Sequence, residues 1–177
     1  MPMVGERLHG TDGIRGKVSQ CFDAENPIEK LILQREFSPS LAHLIGLASG
    51  TVISESIRDS ISSQENREGP LVVIGWDRRD GNALIVDKLE DGLSQAGCRT
   101  QRVGEVPTPG LHHCLLLLNA DAGMMVTASH NPASDSGVKL FDCNGYKSMP
   151  EFEDIISKQA WEYSAEPINS PNECGEK

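Results

Sequence analysis

A chain of 177 residues and 19.2 kDa, 38% hydrophobic and 24% charged, has the composition of one soluble globular domain. A chain of this mass buries roughly 70% of its unfolded surface, so the core needs no disulfide or metal staple. The formal charge of −10, with no basic stripe carrying interleaved aromatics, argues against a nucleic-acid surface, and no apolar run approaches the ~20 residues of a membrane span.

Half of that charge lies in residues 151–177, where seven acids face two bases. The N-terminal residues 1–9 carry charges and no apolar h-region, which argues against a secretory signal. The five cysteines, Cys21, Cys98, Cys114, Cys143 and Cys174, are scattered, odd in number and without a CxxC pair. A disulfide framework and a compact zinc site are not expected, and the usage suits a reducing, cytoplasmic compartment.

In chain order, His9 to Gly16 reads HGTDGIRG, a tight loop that lets backbone approach a ligand, with Ile14 and Val18 flanking or starting a strand. Apolar residues at three- and four-residue spacing predict a long helix over 39–63, with Ser38 as N-cap and Pro39 in the first turn. Residues 71–75, LVVIG, read as a buried strand of the parallel-sheet kind. A charged loop over 76–82 leads to a helix over 83–96. A weakly alternating strand follows over 98–103, then a turn over 106–110 and a helix over 111–118. Residues 122–127 read as another buried strand and 138–141 as a strand ending at an Asn144-Gly145 turn. A last helix is expected over 151–162. Strands alternating with helices imply a layered α/β sheet.

The stretch that carries chemistry is Thr127-Ala128-Ser129-His130-Asn131-Pro132. A buried strand delivers Ser129 to its C-terminal end, where α/β sheets usually bind ligands, and Asn131-Pro132 turns the chain. A hydrolase reading fails: GxSxG is absent, and His130, the immediate neighbour of Ser129, would point away from it on extended backbone. A triad would need His9, His112 or His113, whose spacing offers no support. The better use of the serine is as a phosphoryl carrier, because a phosphoserine dianion needs cations and backbone donors, and Lys139, His130 and Arg15 are candidates. The bland reading of a Ser-His pair is turn chemistry, and the second, glycine-and-arginine loop weighs against it. Met124 and Met125 read as core. Asp77 and Arg78 read as an ion pair supporting the loops, and His112-His113 as surface or cap.

Gly10-Thr11-Asp12-Gly13-Ile14-Arg15-Gly16, Thr127-Ala128-Ser129-His130-Asn131-Pro132 and Gly137-Val138-Lys139 together resemble the α-D-phosphohexomutase superfamily, which includes phosphomannomutase/phosphoglucomutase and phosphoglucosamine mutase. The similarity runs from about residue 8 to residue 161, the extent of the family's first domain. Gly75-Trp76-Asp77-Arg78-Arg79 resembles a further family segment, Gly-x-Asp-x-Arg. The resemblance implies a mixed sheet between helices over 1–162, then a polar acidic tail or interdomain linker over 163–177. It implies a catalytic phosphoserine at Ser129 that passes its phosphoryl group to a phosphorylated hexose through a bound bisphosphate, interconverting the 1- and 6-phosphates. Lys139 matches the acid/base lysine, Arg15 the arginine of the first loop, and His130 joins the catalytic set. Thr11 and Asn131 are implied in substrate binding, magnesium is implied with the phosphate on Ser129 as a ligand, and hexose 1,6-bisphosphate as activator.

Two departures stand out. The family usually has Asn-Gly where this chain has Ser136-Gly137, with Gly137 expected to keep a turn. The family commonly has a serine pair in the stretch that here reads Asp80-Gly81-Asn82, which puts the helix-capping role of that stretch in question. The DGDxDR magnesium loop, the sugar-recognition loop and the distal Ser-Gly-Thr phosphate loop of the remaining mutase domains are not in this sequence. Residues 1–177 alone are therefore expected to be inactive, and the alternative is a stand-alone, non-catalytic binding or regulatory module.

Overall fold

A computed structural model describes residues 6–10, 13–19, 26–60 and 68–165 of the chain. It contains β1 (Ile14–Val18), α1 (Pro27–Gln34), β2 (Glu36–Phe37), α2 (Pro39–Ser60), β3 (Leu71–Trp76) and α3 (Asn82–Gln95). These are followed by β4 (Arg99–Glu105), α4 (Thr108–Leu117), β5 (Ala122–Val126), β6 (Asp135–Asp142) and α5 (Pro150–Ala165). The strands form one mixed sheet in the order β2-β1-β6-β5-β3-β4. β5, β3 and β4 run parallel, and β6 lies antiparallel between β1 and β5. No helix among the described residues is long and apolar enough to cross a membrane.

The expected layering is present, and strand alternation shows why. Val72, Ile74 and Met124 face the larger core, built with α1, α2, α3 and α5. Val73 and Met125, one residue on, face the smaller core under α4, with Leu111 and Leu115. A sheet covered on both faces needs apolar residues at every strand position, which explains the continuous runs LVVIG and AGMMV. Met124 and Met125 are both core residues, as read from the sequence.

Helix ends follow local chemistry. Ser38 Oγ accepts from Leu41 N at 3.2 Å and caps α2 as expected; residues 61–63 lie outside the described residues. Asn26 Oδ1 accepts from Ile28 N at 3.0 Å, with Pro27 in the first turn, and so starts α1, an element the periodicity did not disclose. α4 begins at Thr108 rather than at residue 111, since Pro109 fits the first turn, where its missing N–H has no helical partner to lose. α5 runs to Ala165, three residues past the expected end, because Tyr163 packs against the core and Ser164 Oγ donates to Trp161 O at 2.8 Å.

Gly137 does not keep a turn. It lies inside β6, opposite Arg15 of β1. A Cβ there would stand 2.1 Å from Ile14 O and 2.9 Å from Arg15 Cα. Only a residue without a side chain lets β1 and β6 approach this closely. Gly137→Ala is expected to lower stability by about 1–3 kcal/mol, the usual cost of forcing an extra carbon into a packed site, read as a lower urea midpoint at unchanged slope. An unchanged midpoint would refute the close-approach account.

Candidate active site

β5 is fully buried, and Thr127 and Ala128 continue the burial, so the chain emerges at Ser129, which is exposed. Ser129 has φ +57°, in the left-handed region. A non-glycine residue there costs of order 1–3 kcal/mol and persists only when its surroundings hold it.

The surroundings are explicit. Ser129 N donates to Thr127 Oγ1 at 2.9 Å, and Thr127 Oγ1 donates to Asp77 Oδ2 at 2.6 Å. Asp77 Oδ2 also accepts from Arg79 Nε at 3.0 Å. Arg79 Nη2 donates to Ser129 O at 2.5 Å, which closes the ring of contacts. Arg79 Nη1 reaches the carbonyls of Asn131, Pro132 and Asp135 at 3.2, 2.6 and 3.0 Å. One guanidinium, its side chain only 10% exposed, thus gathers four backbone carbonyls of the serine loop and is balanced by the Asp77 carboxylate.

The supporting ion pair is therefore Asp77–Arg79, not Asp77–Arg78. Arg78 is 91% exposed and only approaches Glu105 at 3.7 Å. The signal was present in the sequence, because the arginine of the Gly-x-Asp-x-Arg segment is Arg79. Replacing Arg79 with alanine is expected to cost about 1–3 kcal/mol, since it removes the charged donor of four carbonyls and leaves the Asp77 carboxylate without its ion pair, and to open residues 129–135 to proteolytic nicking. A variant as stable and as resistant as the parent would refute the clamp.

The other sequence-identified residues fall as follows. Arg15 Nη1 donates to Ala128 O at 3.3 Å, beside the serine. Lys139 is buried on β6 opposite Met125 of β5, and its stem runs next to Gly13 of the glycine loop. Asn131 Nδ2 donates to Asp135 Oδ2 at 3.1 Å and so braces the turn. Arg15, His130 and Asn131 border a cleft of about 610 Å³ together with Arg7, His9 and Arg35, while Ser129 and Lys139 are not among its lining residues. Thr11 lies outside the described residues.

The histidines do not build a triad. Ser129 is left-handed rather than extended, so the expectation that His130 points away on extended backbone does not apply at this bend. His9 is buried with Nδ1 3.3 Å from Ser157 Oγ, and burial pulls its pKa down to about 4, leaving it neutral. His112 packs under Gly145 of the turn after β6.

Fold and site together define an α/β/α domain that presents one loop serine at the carboxyl ends of its central parallel strands. The chain belongs to the phosphoglucomutase/phosphomannomutase family: the model of its alpha/beta/alpha domain I matches residues 6–166. The chain is 34% identical over 171 residues to a phosphoglucosamine mutase of Burkholderia lata, covering 97% of this chain and 32% of that protein. It is 36% identical over 152 residues to a phosphoglucomutase/phosphomannomutase of Thermococcus kodakarensis, covering 86% and 28%. A solved phosphoglucomutase/phosphomannomutase family protein from Burkholderia thailandensis superposes with a TM-score of 0.64 at 25% identity, covering 91% of this chain and 31% of that one. The chain thus spans about a third of the length of the curated relatives it matches.

Proposed function

We propose that this chain is the phosphoserine domain of a hexose-phosphate mutase, with Ser129 as the phosphoryl carrier. The observation that carries the reading is the exposed Ser129 held left-handed at the end of a buried strand by the Arg79 clamp. In the forward step the P–O bond to phosphorylated Ser129 breaks as a P–O bond to a sugar hydroxyl forms. The hydroxyl proton passes to a general base, for which Lys139 is the candidate, and the released Ser129 Oγ takes up a proton to become the free hydroxyl. The bisphosphate so formed turns over and returns its other phosphoryl group to Ser129, which moves phosphate between C1 and C6. A hexose 1,6-bisphosphate would prime an empty serine. Arg15, beside Ala128, adds positive charge near the transferring group. His130 and Asn131 border the cleft that a sugar phosphate would enter, and the setting is taken as cytoplasmic.

Magnesium fits this chain poorly. The carboxylates that touch the serine loop are already engaged, Asp77 by Thr127, Arg79 and Asn82, and Asp135 by Asn131 and Ser134. No group of three His, Cys, Asp or Glu side chains suited to a metal ion occurs among the described residues. The chain's own contribution to a metal site would be the phosphate on Ser129.

The test is intact mass and peptide mapping of the protein from cells that supply the rest of a mutase or a bisphosphate sugar. Phosphate is expected on the Ser129 peptide. Phosphate found reproducibly on another serine and never on Ser129 would sink the assignment and favour a non-catalytic module.

A further inference from the structure

We propose that Asn82 and Ser136 form one positioning couple for the Ser129 loop, a buried amide and a buried hydroxyl that meet between α3 and β6. Ser136 Oγ donates to Asn82 Oδ1 at 2.5 Å, across 54 residues of sequence. Asn82 is 1% exposed and Ser136 is fully buried. The amide's nitrogen donates to Asp77 O at 3.0 Å and Asp77 Oδ1 at 2.8 Å, and lies 3.4 Å from Val126 O. All three of its neighbours are acceptors, which fixes which end of the amide is nitrogen.

This one side chain therefore joins the first turn of α3, the end of β3, the end of β5 and the start of β6. Those segments carry the Arg79 clamp and both ends of the serine loop. Through Asp77, the couple orients the carboxylate that holds both Thr127 and Arg79.

The two departures noted in the sequence fall in the stretches that meet here. A buried amide facing a buried hydroxyl is satisfied. Two serines would strip Asp77 Oδ1 of its amide donor and open a gap. Two asparagines would crowd a site in which both positions are already buried. The helix-capping question is answered by the same contact: Gly81 caps α3 without a side-chain bond, and Asn82 turns inward to the network instead.

The experiment compares Asn82→Ser, Ser136→Asn, the double exchange and Ser136→Ala in the 177-residue chain. Ser136→Ala removes one hydroxyl from the core without adding volume, so it serves if a single exchange fails to fold. Ala160→Gly, in distant α5, controls for a merely global loss of stability. The readouts are amide hydrogen exchange of residues 129–135 relative to α2, and the phosphate occupancy of Ser129. Each single exchange and Ser136→Ala are expected to speed loop exchange by roughly 10-fold relative to α2, the range of contact couplings. The double exchange is expected to return it to within about 3-fold of the parent. Loop exchange that rises no more than in Ala160→Gly, or a double exchange no better than its worse parent, overturns the couple. The phosphate readout rests on the carrier reading and separates the two ideas. Rescue of loop exchange with Ser129 never phosphorylated upholds the couple and removes the carrier. Equal phosphorylation in all variants with unaltered loop exchange does the reverse.

Discussion

Ser129→Ala, placed in a complete mutase that carries this domain, is expected to reduce turnover by roughly 10⁴-fold or more while leaving the fold intact. The substitution removes the only atom that accepts and returns the phosphoryl group in the proposed cycle, so no alternative covalent route is left. Stability should change by at most about 0.5 kcal/mol, because the Ser129 side chain is exposed and the contacts that hold the bend use its backbone N–H and carbonyl. A coupled assay for interconversion of the 1- and 6-phosphates of glucose and mannose measures the first effect, and urea denaturation the second. Full activity in the variant would overturn the carrier reading.

Residues 1–177 alone are expected to show no measurable mutase turnover, even with magnesium and glucose 1,6-bisphosphate. In-line transfer needs the acceptor hydroxyl held against the phosphoserine, and positioning of this kind is worth ~7–11 kcal/mol of barrier lowering. The chain supplies the serine, Lys139 and Arg15, of which only Arg15 borders the cleft. Its carboxylates near the loop are committed to holding that loop in shape. The chain matches only about a third of its relatives' length, and it contains no Asp-x-Asp pair. The same coupled assay, run on the purified chain beside a complete mutase, decides it. Robust turnover by the chain would show that this domain is sufficient for the chemistry.

What the sequence determined by itself was whatever is written within a short window. The runs LVVIG and AGMMV identify central strands because burial on both faces requires every residue to be apolar. The three- and four-residue spacing of Leu41, Leu44, Ile45 and Ala48 identifies α2, since one helix face must be apolar to pack. The serine loop was legible as a reactive bend from its own residues, with Asn131-Pro132 as the turn. α1 and β2 were not, because eight and two residues give too few turns or alternations for a period to show, and only packing on α2, α5 and β1 fixes them.

Tertiary structure decided everything that depends on partners distant along the chain. Arg78 and Arg79 are neighbours of one type, and sequence chemistry cannot say which turns inward. The contact with carbonyls some 50 residues away selects Arg79. Gly137 resembles a turn residue locally, yet it is a strand residue because β1, more than 120 residues earlier, passes within reach of its missing Cβ. Ser136 and Asn82 each look like an isolated departure until β6 is laid beside β5 and α3 is packed beneath them. Propensity and periodicity act between near neighbours and are written in the local sequence. Sheet register, and the desolvation that forces buried polar groups to find each other, act only once the chain has closed on itself.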